Sequence, residues 1–187
     1  DVVPAGHGVA AIDGDWAGRR LGLPARWQLV AAMKPCPCGY MGDPGGRCRC
    51  TPEQIQRYRN KLSGPLLDRI DRHLTVARES TALNPAKQTG NDTASASTLV
   101  ASARDRQQQR QGCANAFLDL TGLRRHCELS KADEGWLESA CERLTLSLRA
   151  AHRLLKVART LADLEQADAI ARHHLAEALQ YRPAAVT

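Results

Sequence analysis

Cys36-Pro37-Cys38-Gly39-Tyr40 and Gly45-Gly46-Arg47-Cys48-Arg49-Cys50 place four of the chain's seven cysteines in two Cys-X-Cys pairs nine residues apart. Thiolates are soft ligands, and four of them around one ion make the tetrahedral set that suits zinc. The glycines between the pairs permit the tight turns that such a set requires. The spacing predicts a Zn2+ site on Cys36, Cys38, Cys48 and Cys50; the alternative is a cysteine-bearing turn without metal. Cys113, Cys127 and Cys141 are scattered and read as small buried apolar residues.

The second chemical signal is charge. The chain carries a formal +6, and between residues 47 and 78 eight basic residues (Arg47, Arg49, Arg57, Arg59, Lys61, Arg69, Arg72, Arg78) face three acidic ones (Glu53, Asp68, Asp71). A basic excess beside a candidate metal loop favours an anionic partner, nucleic acid or a nucleotide phosphate, and Arg47, Arg49, Arg57, Arg59 and Lys61 are the expected nucleic-acid contacts. A membrane partner is not expected, because no basic amphipathic helix with large apolar residues accompanies the charge and no apolar run approaches the roughly 20 residues of a span. The first residues lack the basic start and apolar stretch of a signal peptide, so a cytoplasmic address is expected and clustered cysteines point to metal rather than to disulfides.

These residues need elements to hold them. Gly8 to Gly14 reads as one arm of a short hairpin. The apolar run Trp27 to Met33, ended by Pro35, predicts a strand buried on both faces, as in a parallel sheet. After the cysteine loop, Thr51-Pro52-Glu53-Gln54 opens a helix with a capping box and proline at the first turn; Ile55, Tyr58 and Leu62 form its buried face and Gly64 ends it. A short strand is predicted around His73 to Val76. Residues 79–97 are nearly devoid of large apolar side chains and read as a linker. Beyond it the patterns are helical: Leu99 to Gln111 stopped by Gly112, a turn at Leu123 to Cys127, and a helix capped by Ser130 that buries Trp136, Leu137, Ala140, Cys141 and Leu144. A helix capped by Ser147 then buries Leu148, Ala151, Leu155, Ala158 and Ala162, and a last one runs from Asp168 to Tyr181.

The segments LVAAMKPCPCGYMGDPGGRCRCTPEQIQRYRNKLSGPLLDRID, SLRAAHRLLKVARTLADL and HLAEALQYR resemble the magnesium-chelatase-like AAA+ ATPases of the bacterial competence-protein type. The resemblance covers nearly everything from Pro24 to Arg182. It implies an α/β AAA+ core remnant followed by an α-helical lid domain, mostly α overall: residues 1–78 as the end of the core, 79–97 as linker and 98–187 as lid. It also implies hexameric rings that hydrolyse ATP with Mg2+ and remodel DNA in recombination. No G-X-X-X-X-G-K-[ST] phosphate loop occurs in the chain, so this chain alone is expected to be inactive. Three family roles fall on this sequence. Lys34 stands at the first sensor position, where the family usually has Asn. Arg69 stands at the arginine finger that reaches a neighbour's nucleotide, and Arg149 at the second sensor, which touches the nucleotide of its own subunit. Arg153 and Lys156 extend a basic stripe from Arg149 that is expected to be solvated. The rival readings are a non-catalytic zinc-bound module that binds nucleic acid or a partner, and a metal-chelatase motor subunit.

Overall fold

The computed structural model describes residues 11–16, 19–24, 28–67, 70–76 and 92–182, and among them the chain is mostly helical. Two compact units are present, one built on residues 11–70 with 75–76 and the other on 71–74 with 92–182.

In the first unit, β1 (Ala11–Trp16) and β2 (Arg19–Pro24) pair antiparallel, with Ala11 opposite Pro24 and Trp16 opposite Arg19. Two residues between strands are what a hairpin needs. The buried strand expected over Trp27 to Met33 does not form: residues 28–34 adopt no regular structure, and Leu29, Val30 and Met33 are 46%, 85% and 47% exposed. A strand with two apolar faces requires neighbours to complete its ladder and layers to cover both faces. Among the described residues no strand lies beside it, and the only sheet is the β1–β2 hairpin.

Helix α1 (Pro52–Arg59) begins as expected, with Thr51 accepting from Gln54 N and the Gln54 side chain accepting from Thr51 N. It ends earlier than expected. Asn60 caps it through its N–H to Gln56 O, and the Gln56 amide donates to Asn60 Oδ1 at 2.9 Å. Gly64 instead opens the short α2 (Gly64–Leu67), where Ser63 Oγ accepts from Leu66 N. Ile55, Tyr58 and Leu62 are half-buried rather than buried.

In the second unit α3 (Thr93–Gln111) starts six residues ahead of the expected Leu99, because Asp92 caps it by accepting from Ser95 N at 2.6 Å. Its first turns are exposed, so a cap and small side chains sustain a helix where burial does not. Gly112 ends it in the left-handed region, φ +72°. A 3₁₀ turn at Asn115–Phe117 leads to α4 (Leu120–His126), capped by Asp119. Helix α5 (Lys131–Arg143) is capped by Ser130, as expected, and buries Leu137 and Ala140; Trp136 and Cys141 pack at the core's edge, while Leu144 is 53% exposed.

Helix α6 (Leu148–Leu164), capped by Ser147, is the centre of the core. Its inward row is Ala150, Leu154, Ala158 and Leu161 with Ala162, so the face is turned from the expected one: Leu148 is 73% exposed and Ala151 and Leu155 are half-buried. Leu118, Leu123, Cys127, Leu137, Ile170 and Leu175 pack around this row. Helix α7 (Arg172–Gln180) begins four residues later than expected. The delay has a cause in α6: Arg159 donates to the carbonyls of Ala167 (2.6 Å) and Asp168 (2.8 Å) and so holds that stretch out of a helix. The strand expected at His73 to Val76 is absent. His73 N donates to Tyr181 O at 2.7 Å, and Arg72 stacks on the Tyr181 ring at 4.3 Å, docking contacts rather than the ladder of a strand. Among the described residues no helix is long and apolar enough to cross a membrane.

Candidate metal centre and nucleic-acid interface

Three successive turns shape the cysteine loop: Gly39 N donates to Cys36 O, Asp43 N to Tyr40 O and Gly46 N to Asp43 O, each at 3.0 Å. Gly39, Gly42 and Gly46 sit at φ +82°, +80° and +63°, where a Cβ would strain the backbone. The turns bring the Sγ atoms of Cys36, Cys38, Cys48 and Cys50 within 4.8 Å of one another. Cys36 lies 3.3 Å from Cys38 and 3.8 Å from Cys48, and Cys38 lies 3.7 Å from Cys48, all as free thiols. A tetrahedron with Zn–S bonds of about 2.3 Å has edges of about 3.8 Å; the Cys36–Cys48 and Cys38–Cys48 separations match that edge and Cys36–Cys38 is shorter.

The protonation states of the four sulfurs diverge. The Tyr40 N–H, aided by the Cys36 side chain, lowers Cys38 to about 6 against desolvation. Burial and the Cys38 side chain push Cys36 up, but the N–H groups of Met41 and Gly39 and the Cys48 side chain outweigh them and hold it below the ordinary thiol value. Cys48 accepts from the Cys50 N–H, yet desolvation and the sulfurs of Cys38 and Cys36 raise it. Cys50 gains most from the Cys38 backbone, but the side chains of Cys38 and Cys36 together with desolvation push it up to about 11. The backbone donors aimed at Cys36 and Cys38 favour thiolate there, and a divalent cation at the centre would offset the repulsion that raises Cys48 and Cys50.

The loop is closed by a fork. Arg47 Nε and Nη2 donate to Asp43 Oδ2 (2.9 Å) and Oδ1 (2.7 Å), and the same guanidinium lies 4.6 Å over the Tyr40 ring. The fork first, then the Coulomb attraction of Arg47, lowers the Asp43 carboxyl to about 2. Arg47 is thus paired within the loop although its side chain is 45% exposed, and Arg49, Arg57 and Lys61 are exposed as well. Arg59 is half-buried, its Nη2 3.6 Å from Met41 Sδ, which ties α1 to the loop. Lys34 is exposed; its Cδ would lie 3.4 Å from a Cβ added at Gly39, so its stem runs along the cysteine loop. Arg69 lies outside the described residues. Arg149 is exposed in the first turn of α6. The stripe that follows it is not solvated: Arg153 pairs with Asp71 at 3.3 Å, and Lys156, its ammonium disfavoured by burial, donates to Ala116 O.

Two constellations escaped the sequence reading. Buried Asp163 accepts from Arg110 (2.5 and 2.9 Å), Asn115 (2.8 Å) and buried Arg159 (3.0 and 3.2 Å), joining the end of α3 to α6. Only the Arg159–Asp163 spacing, four apart on one helix, signalled it. At the α6–α7 corner Glu165 Oε2 meets His173 Nε2 (2.9 Å) and His174 Nε2 (3.0 Å), ligand types with a metal-like grouping. His174 Nδ1, however, accepts from Ala171 N at 2.9 Å, so the neutral ring carries its proton on Nε2 and has no lone pair for a cation there. This corner is a structural lock; the hydrogen bonds from His173 and then His174 lower the Glu165 carboxyl.

Residues 11–113 match the family described as "Magnesium chelatase, subunit ChlI", and residues 90–182 match "Magnesium chelatase, subunit ChlI C-terminal". Among curated relatives, YifB of Escherichia coli is 47% identical over 164 residues, which is 87% of this chain and 32% of that protein. Competence protein ComM of Haemophilus influenzae is 43% identical over 167 residues, 89% of this chain and 32% of that protein. Rv2897c of Mycobacterium tuberculosis is 39% identical over 163 residues, 85% and 32% of the two chains. The chain spans about a third of the length of the curated relatives it matches.

Proposed function

This chain belongs to the magnesium chelatase ChlI family, and from that premise we propose that it is the carboxy-terminal portion of an ATP-driven ring motor acting on DNA. In this reading Cys36, Cys38, Cys48 and Cys50 hold one zinc ion that stiffens a basic loop against the DNA. The observation that carries it is the cage of four sulfurs, all within 4.8 Å of one another and tied through Met41 and Arg59 to a helix whose last turn is basic. Zinc supplies no reaction there; it cross-links the loop and neutralises the thiolates. Arg49, Arg57, Arg59 and Lys61 then face phosphates, and Arg47 orders the loop from within.

The nucleotide chemistry, with ATP and Mg2+, belongs to the assembled ring, a hexamer in this proposal. Arg69 is the finger offered to a neighbouring subunit. Arg149, exposed at the start of α6, reaches the nucleotide of its own subunit, and Lys34 occupies the first sensor position, where a cation can hold a phosphate but cannot both donate to and accept from a water as an amide does. Similarity to a relative named as a competence protein supports DNA as the substrate; a cytoplasmic setting is part of the same proposal.

Metal analysis of the protein purified without chelator is expected to find one zinc per chain, lost in Cys38→Ser. Binding to DNA should weaken steeply with salt, since phosphate contacts release counterions, and the joint replacement of Arg57, Arg59 and Lys61 by Gln should abolish it. A protein free of metal, or binding that ignores both salt and the triple replacement, would overturn the proposal.

A further inference from the structure

Tyr40 sits at the tip of the cysteine loop and leaves 43% of its surface in solvent, beside Met41 at 39%. The loop does not need the ring to close. Tyr40 contributes its N–H to Cys38 and its carbonyl to Asp43 N, and both come from the backbone. The ring is nevertheless held in one orientation, because the Arg47 guanidinium covers it at 4.6 Å and is itself locked by two bonds to Asp43. Arg47 is charge-paired there, so it serves as a backing plate rather than a phosphate clamp. A second guanidinium lies at the next residue: Arg59 Nη2 is 3.6 Å from the sulfur of Met41, which follows Tyr40.

A solvent-facing aromatic, backed by one guanidinium and with a second at the next residue, can take a base on its open face and a phosphate beside it. We propose that Tyr40 is a stacking platform for an unpaired base of single-stranded DNA, with Arg47 and Asp43 as its positioning residues and Arg59 taking the adjoining phosphate. The proposal rests on the DNA reading above and adds which form of DNA engages the loop. Bases inside a duplex already stack on one another and offer no free face, whereas every unpaired base does, whatever its identity.

The test compares the affinity of the chain for three fluorescent probes at one salt concentration: an oligothymidylate, an abasic oligonucleotide of equal length, and a duplex. The abasic strand presents the same phosphates without bases. The oligothymidylate is expected to bind about tenfold tighter than the abasic strand, in line with stacking on an aromatic side chain, and tighter than the duplex. Tyr40→Leu keeps apolar bulk without a planar face and should erase that preference while leaving abasic binding and zinc content unchanged; Tyr40→Phe and Tyr40→Trp should retain it. Equal binding of oligothymidylate and abasic strand by the unaltered chain, a preference for duplex, or a preference that survives Tyr40→Leu would overturn the platform and leave the DNA reading standing. Failure to bind any of the three probes would overturn both.

Discussion

Asp163 shows what one residue can hold together in this protein. It is fully buried, and three side chains from two helices and a 3₁₀ turn donate to its two oxygens. Burial alone pushes its carboxyl up and is the largest single influence, but the hydrogen bonds from Arg110 and Asn115 and the charges of Arg159 and Arg110 hold it below the ordinary value. A carboxyl depressed in the folded state contributes stability that is fully present above its unfolded pKa of about 3.9 and is lost as pH falls through the folded value. Asp163→Asn leaves Arg159 buried without its counter-ion and turns a donor toward a guanidinium. Loss of one partner of a buried pair costs about 3 to 5 kcal/mol, so the variant should melt well below the parent at pH 7. Its melting temperature should also fall less steeply than the parent's between pH 5 and 2. Equal melting at pH 7 would show that the network is an ornament of the interior.

Among the elements, α6 carries the core, and its start depends on a single hydroxyl. Ser147 Oγ accepts from Ala150 N at 3.2 Å, while Leu148 and Arg149 in the first turn are exposed and bring no burial of their own. Ser147→Ala should cost about 1 kcal/mol, the usual worth of an N-cap, read as a shift of the denaturant midpoint at unchanged slope. Ser147→Asp should restore it, because a carboxylate caps and also suits the positive end of the helix. An Ala variant as stable as the parent would mean that the packing of Ala150 and Leu154 alone sets where α6 begins.

For the whole molecule the decisive question is whether Arg69 works across a subunit boundary. A finger completing a neighbour's site is worth roughly 10³ to 10⁵ in rate, against about 0 to 1 kcal/mol for a surface pair with Asp68 or Asp71, so the two roles differ by magnitude. In a full-length family protein, Arg69→Ala should leave folding and nucleotide affinity intact and nearly eliminate turnover. Mixing it with a subunit that lacks its phosphate-loop lysine should recover activity, since one partner supplies the site and the other the finger. Rings that form from the mixture and stay inactive, or an Ala variant that loses stability instead of rate, would make Arg69 a structural residue.

Local signals were legible in the sequence because their physics is local. The Thr51 capping box, the Gly112 stop, the Ser130 and Ser147 caps and the gathering of four cysteines by glycine turns all depend on residues a few positions apart, and each is present in the fold. Apolar spacing and caps beyond residue 97 likewise read as helices, and the described residues are mostly helical. Tertiary structure decided the rest, since those outcomes depend on residues far along the chain. The run Trp27 to Met33 reads as a buried strand, but its described part, residues 28–33, lies exposed, because a strand is made by its neighbours. Helix α7 starts at Arg172 because Arg159 takes the carbonyls ahead of it. Arg47 reads as a phosphate contact, and only the fold shows that Asp43 and the Tyr40 ring hold its guanidinium. Charge and hydropathy say which side chains can be buried or paired; only the packed chain chooses the partner, because that choice is made across space and not along the sequence.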